Sequence, residues 1–177
     1  MAIRFVYFDC METLIQIDVP SFDTYADFAW EGGADALNLW NDQEEFREAW
    51  KREREQLNSI DNGFRESTIR DRIRTILSTQ LTKESPSWDM EKIDKEVECV
   101  HETFWKTYLS RTYVLPEVRA CLDVIAARGL AMGIVSNFMV PGGIEELIGF
   151  HRLNRYFREV VVSCHVGWRK PSDYIFR

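Results

Sequence analysis

Hydrophobic positions fall into two textures along the chain, and the change between them sets its organisation. "IRFVYF" (3–8) is an unbroken apolar run of strand length, the pattern of a strand buried on both faces of a parallel sheet. From 16 to 110 the spacing turns helical. Phe22, Tyr25, Ala26 and Ala29 share one helical face that ends at Gly32-Gly33. "DQEEFREAWKREREQL" (42–57) is charged on most sides, with a narrow apolar stripe of Phe46, Trp50 and Leu57. Ile69, Ile73, Ile76 and Leu77 form a further stripe. Ser87 is placed to cap a long helix whose inner face is Ile93, Val97, Val100, Phe104 and Tyr108.

After 110, strand and helix patterns alternate. Pro116 suits a helix start, Val118, Cys121, Leu122 and Ile125 mark the face to be buried, and Arg128-Gly129 reads as the stop. "LAMGIV" (130–135) predicts a strand, "GIEELI" (143–148) a short helix and "EVVVSC" (159–164) another strand. This alternation implies the α/β class: a three-layer, Rossmann-like parallel sheet core formed by 1–15 and 111–177, interrupted by an all-helical domain over 16–110. The insertion follows the carboxyl end of the first strand, the edge at which open α/β sheets bind ligands.

Composition narrows the function classes. Twenty-two Lys and Arg against 29 Asp and Glu leave a formal charge of -7, which disfavours non-specific binding to nucleic acid or to an anionic membrane. A few local cations still suffice for an anionic small molecule. No run approaches the ~20 apolar residues that span a bilayer, and the N-terminus lacks the pattern of a signal peptide. The four cysteines, Cys10, Cys99, Cys121 and Cys164, are scattered without metal-site spacing, so reduced and mostly buried thiols in a cytoplasmic protein are expected.

Three polar groups are expected at one rim of the sheet: Asp9 after the first strand, Ser136-Asn137 after the second, and Lys170 after the third. Each alone has an ordinary reading, as a turn residue or a solvated charge. Together and in this order, "FDCMETL", "GIVSN" and "KPSDYIF" resemble the three successive motifs of the haloacid dehalogenase superfamily. "YVLPEVRACLDVIAARGL" resembles the helix before its second motif, and the helical segment stands where that family inserts its cap domain. The resemblance implies a hydrolase in which Asp9 is the nucleophile of a covalent aspartyl intermediate, Ser136 holds the transferred group, and Lys170 neutralises developing charge. It further implies supporting and substrate-contacting roles for Thr13 and Asn137. In the phosphatase branches it implies Mg²⁺ on Asp9, the backbone carbonyl of Met11 and an acid from a fourth motif.

The sequence departs from that pattern in three places. Met11 stands where phosphatase members carry an aspartate that protonates the leaving oxygen, a loss that typically costs about 10²–10⁴ in rate. Glu12 stands where the family has glycine. The acidic fourth motif would follow Arg177, so a fragment of a longer protein is expected. Family abundance puts a small phosphorylated metabolite ahead as substrate. Met11 suits a metal-free 2-haloacid dehalogenase better, and a catalytically silent binding member is the third reading. Arg47 or Arg54 would serve a haloacid carboxylate, against the plainer reading of a solvated face paired with Glu44 to Glu55. Cys10 reads as packed, and His101, His151 and His165 as structural. A small-molecule substrate is the only partner expected, for a monomer or a homodimer.

Overall fold

The computed structural model describes residues 3–19, 24–59, 64–84 and 89–177, with side chains described except at 57–59 and 82–84. Strand β1 (Phe5–Phe8) is followed by β2 (Gln16–Ile17), helices α1 (Thr24–Ala29), α2 (Gln43–Ser59), α3 (Ile69–Glu84) and α4 (Met90–Ser110), then β3 (Thr112–Tyr113). The chain continues through α5 (Pro116–Ala127), β4 (Ala131–Ser136), α6 (Gly143–Phe150), β5 (Phe157–Val162) and α7 (Ser163–Val166). No helix among the described residues is long and apolar enough to cross a membrane.

The chain divides into two units: Met1–Asp18, Asn62–Thr68 and Thr112–Arg177 form one, Val19–Asp61 and Ile69–Arg111 the other. The first is an α/β unit around a three-stranded parallel sheet in the order β1-β4-β5. Central β4 is the most buried strand, with Met132 and Ile134 filling its core positions. Parallel register sets Phe8 beside Ile134 and Ser136 beside Val162, so all three strands deliver their carboxyl ends to one edge. Gly133 lies where the Tyr7 ring passes: a Cβ there would stand 2.7 Å from Tyr7 Cε1. The Tyr7 hydroxyl donates across β4 to Glu159 at 2.7 Å. Antiparallel β2 and β3 bind together the chain segments that leave and re-enter this unit.

The second unit is helical. The stripes Ile69, Ile73, Ile76, Leu77 on α3 and Ile93, Val97, Val100, Phe104, Tyr108 on α4 are all buried, as their spacing predicts. Around them Phe46 meets Trp40 edge-on and packs against Trp30 and Trp50. A charged pair lies inside this unit. Arg72 Nε meets Glu53 at 2.6 Å, its Nη2 donates to the Trp50 carbonyl, and its guanidinium covers the Trp50 ring.

Local differences from the sequence reading have physical causes. Asp89 caps α4, its carboxylate accepting from the Lys92 amide at 2.9 Å; Ser87, like Phe22, lies outside the described residues, as does the side chain of Leu57. The third strand ends at Val162, because Ser163 and Cys164 turn into the short α7. Only Cys10 is buried; Cys99 and Cys121 are exposed and Cys164 half-buried. Cys99 follows Val97 by two residues, about 200° around the helix, which turns it away from the buried stripe. On α5, Leu122 alone is buried. Phe64–Thr68, read from sequence as part of the helical domain, lies on the α/β unit, where Arg65 bridges antiparallel to Trp168.

Candidate functional site

The edge formed by the strand ends gathers the polar residues that follow them. After β1 the chain bends sharply: the Cys10 carbonyl accepts from the amides of Leu14 and Ile15, and the Glu12 amide returns to the Ile15 carbonyl at 2.8 Å. Glu12 adopts φ of 59°, the left-handed region that glycine occupies without strain. This turn leaves Asp9 half exposed and pointing its Oδ1 to Lys170 Nζ at 3.0 Å. The same oxygen accepts from the Cys10 amide at 2.8 Å. Oδ2 has no partner among the described residues.

Lys170 is held at both ends. Its ammonium also donates to the Val135 carbonyl at 2.8 Å, and its backbone N–H donates to Asn137 Oδ1 at 2.6 Å. Asn137 Nδ2 returns to the Lys170 carbonyl at 3.2 Å. An ammonium shared between a carboxylate and a peptide carbonyl is a fixed positive charge beside Asp9. Ser136, fully buried at the end of β4, has no hydrogen-bond partner for its hydroxyl among the described residues. A buried hydroxyl normally finds one, and that of Ser136 is left with its hydrogen-bonding capacity unused.

Of the residues singled out in the sequence, Asp9 and Lys170 are in direct contact and Asn137 is bound to the Lys170 backbone. Ser136 ends the strand between them. Thr13 is exposed on the turn after Asp9, and its amide donates to the Cys10 carbonyl at 3.3 Å. Met11 is half-buried on the same turn and offers no proton. Burial, the Asp9 charge and Glu145 push the Cys10 thiol up to about 12, so it stays protonated beside the carboxylate. In the helical unit, Arg47 is engaged by Asp27 at 2.6 Å and Glu44 at 3.0 Å, and Arg54 is exposed. His151 bonds Thr112, and His165 accepts from the Gly142 amide. Beside Asp9 and Lys170 opens a cleft of about 640 Å³, lined also by Tyr7, Val135, Val161 and Tyr174.

Magnesium takes an octahedron of oxygens. Asp9 brings one carboxylate and Met11 a backbone carbonyl, but no cluster of three acidic, His or Cys side chains occurs among the described residues. These residues do not by themselves make a magnesium site.

Sequence reasoning missed Glu66 and Ser163. The Ser163 hydroxyl, fully buried, donates to Glu66 Oε2 at 2.5 Å and accepts from the Phe138 amide at 2.9 Å. Glu66 sits in a polar connector between two helices, where no periodicity distinguishes it.

The parallel sheet, the polar edge and the helical segment inserted after β1 define a class: the haloacid dehalogenase-like α/β fold with a helical insert. Solved structures with a similar fold include haloacid dehalogenases and a predicted phosphatase. One is a 2-haloacid dehalogenase from Pseudomonas syringae pv. Tomato DC3000, 21% identical over 99% of this chain and 70% of that one, with a TM-score of 0.72. A predicted phosphoglycolate phosphatase from Haemophilus somnus 129PT is 12% identical over 98% and 68%, at 0.58. L-2-haloacid dehalogenase from Xanthobacter autotrophicus is 19% identical over 99% and 62%, at 0.51. No protein-family model and no curated protein matches the sequence.

Proposed function

We propose that this chain is a hydrolase that works through a covalent aspartyl intermediate on Asp9. The observation that carries the reading is the 3.0 Å contact between Asp9 and Lys170, whose ammonium is itself anchored on the Val135 carbonyl. One carboxylate oxygen is held by that ammonium and by the Cys10 amide, which leaves Oδ2 to attack. Ser136 supplies a buried hydroxyl for the group under attack. An ordered cation and hydroxyl aimed at developing charge are the usual source of such catalysis.

Met11 favours a leaving group that departs without a proton, and hence a carbon–halogen bond in a small 2-haloacid. Oδ2 forms a bond to the carbon as the halide leaves with its electron pair. Water then adds to the aspartyl carbonyl, the 2-hydroxy acid departs, and the Asp9 carboxylate is restored with a proton released to solvent. A small phosphorylated metabolite is the second reading, favoured by the exposed Glu12 carboxylate on the same turn, which could protonate a leaving alkoxide. That reading calls for Mg²⁺, with more oxygen ligands than the described residues bring.

The test is halide release from 2-chloropropionate without metal, beside phosphate release from p-nitrophenyl phosphate with Mg²⁺. One of the two products is expected from the wild type, and Asp9→Asn is expected to lower its rate by about 10³-fold or more. If folded wild type releases neither, the hydrolase reading fails and a binding role takes its place.

A further inference from the structure

The loop that carries Lys170 has a second anchor besides Asn137. Phe64–Glu66, the connector between α2 and α3, lies antiparallel along Gly167–Arg169. The Glu66 amide donates to the Gly167 carbonyl at 3.1 Å, and the Arg169 amide donates to the Phe64 carbonyl at 2.9 Å. Between these two bonds the Arg65 guanidinium covers the Trp168 ring at 4.3 Å, and that residue also stacks on Tyr174 with ring centroids 4.6 Å apart. The connector is fastened in turn by its side chain. Glu66 Oε2 accepts from Ser163 Oγ at 2.5 Å, and the same hydroxyl receives the Phe138 amide. Glu66 Oε1 accepts from the Ser67 amide at 3.3 Å.

Ser163 therefore stands where three segments meet: the end of β5, the loop after β4 that carries Asn137 and directly follows Ser136, and the connector. All three bear on the lysine. Ser136, Asn137 and Phe138 are consecutive, so the hydroxyl that holds the Phe138 amide also fixes the stretch that grips the Lys170 backbone. Phe64 and Glu66 brace the residues just before Lys170. A fully buried hydroxyl bonded to a carboxylate is a costly junction to open.

We propose that Glu66 is a positioning residue: through Ser163 and the Phe64–Glu66 bridge it holds the Lys170 loop in the register that keeps the ammonium on Asp9. The catalytic part of this inference rests on the proposed function, and the positional part does not.

The experiment reads both parts separately. Acetylation of Lys170 by acetic anhydride is followed by peptide mass spectrometry in wild type, Glu66→Ala, Glu66→Gln and Ser163→Ala, with circular dichroism as the check of folding. In the wild type the ammonium is bonded to Asp9 and Val135 and should react slowly. Glu66→Ala should raise the Lys170 rate at least threefold while the other lysines keep theirs. Glu66→Gln, which keeps an acceptor for Ser163, should restore the slow rate. Ser163→Ala opens the same junction from the other side, and reads the proposal should Glu66→Ala fail to fold. An unchanged Lys170 rate in a folded Glu66→Ala or Ser163→Ala protein overturns it, as does equal acceleration of every lysine. With whichever substrate turns over, Glu66→Ala should lower kcat about tenfold with KM within twofold; a change in KM alone removes the catalytic part. Absence of all turnover in wild type would refute the hydrolase reading while the acetylation rates still decide this one.

Discussion

At the scale of single residues, the turn from Asp9 to Ile15 shows chemistry and backbone pulling in different directions. Glu12 is held at φ of 59°, closed by its own amide bond to Ile15. A side chain in that region costs roughly 1–2 kcal/mol, part of which glycine returns as backbone entropy, about 0.5–1 kcal/mol. Glu12→Gly should therefore raise the unfolding free energy by about 0.5 kcal/mol, measured by urea titration. If the variant is instead less stable, the Glu12 carboxylate makes a compensating interaction. That Asp9, Ser136 and Lys170 come to one edge of the sheet was legible in sequence, because Asp9 follows one strand, Ser136 ends another and Lys170 lies in the loop region after the third. Glu66 and Ser163 were not, since their pairing depends on two segments nearly a hundred residues apart.

At the scale of elements, helices in the second unit follow their apolar spacing closely. On α4 the buried apolar positions Ile93, Val97, Val100, Phe104 and Tyr108 were legible from the 3.6-residue repeat, while buried His101 and Trp105 and the helix start were not. Two polar residues, Ser87 and Asp89, both suit a cap, and only backbone geometry distinguishes them. Asp89 has extended φ and ψ of -89° and 167° and bonds the Lys92 amide. Asp89→Ala should cost about 1 kcal/mol of stability, read from chemical denaturation. Loss below the error of that measurement would mean that another group satisfies the first turn. The Glu53–Arg72 pair escaped the sequence reading for a related reason. Its residues sit on helix faces crowded with other charges, and only packing shows which pair goes inside.

At the scale of the whole molecule, the acidic balance set against a buried and a half-buried histidine gives stability a direction with pH. Burial and nearby Arg70 lower the pKa of His101 from 6.5, and burial and Arg119 lower that of His151. Both ring nitrogens of His101 lack partners among the described residues, so the ring is held neutral. The unfolded chain then binds more protons than the native one, and stability present above about pH 6.5 is lost as pH falls through the lowered values. Urea titrations at pH 7.5 and 5.5 should show a lower unfolding free energy at 5.5, and His101→Leu should remove part of that drop. An unchanged drop in the variant would assign it to other groups. What the sequence by itself determined is the main helices, the three strands of the parallel sheet and the edge where those strands end, because they follow from local periodicity and from the polar residues that close the apolar runs. What only the tertiary structure decided is how that edge is built: the ammonium shared by Asp9 and Val135, the amide of Asn137 closed on the Lys170 backbone, and a connector between two helices laid along the lysine loop. Those arrangements depend on hydrogen bonds between segments distant in the chain, and local residue order carries no record of which distant donor will meet which acceptor.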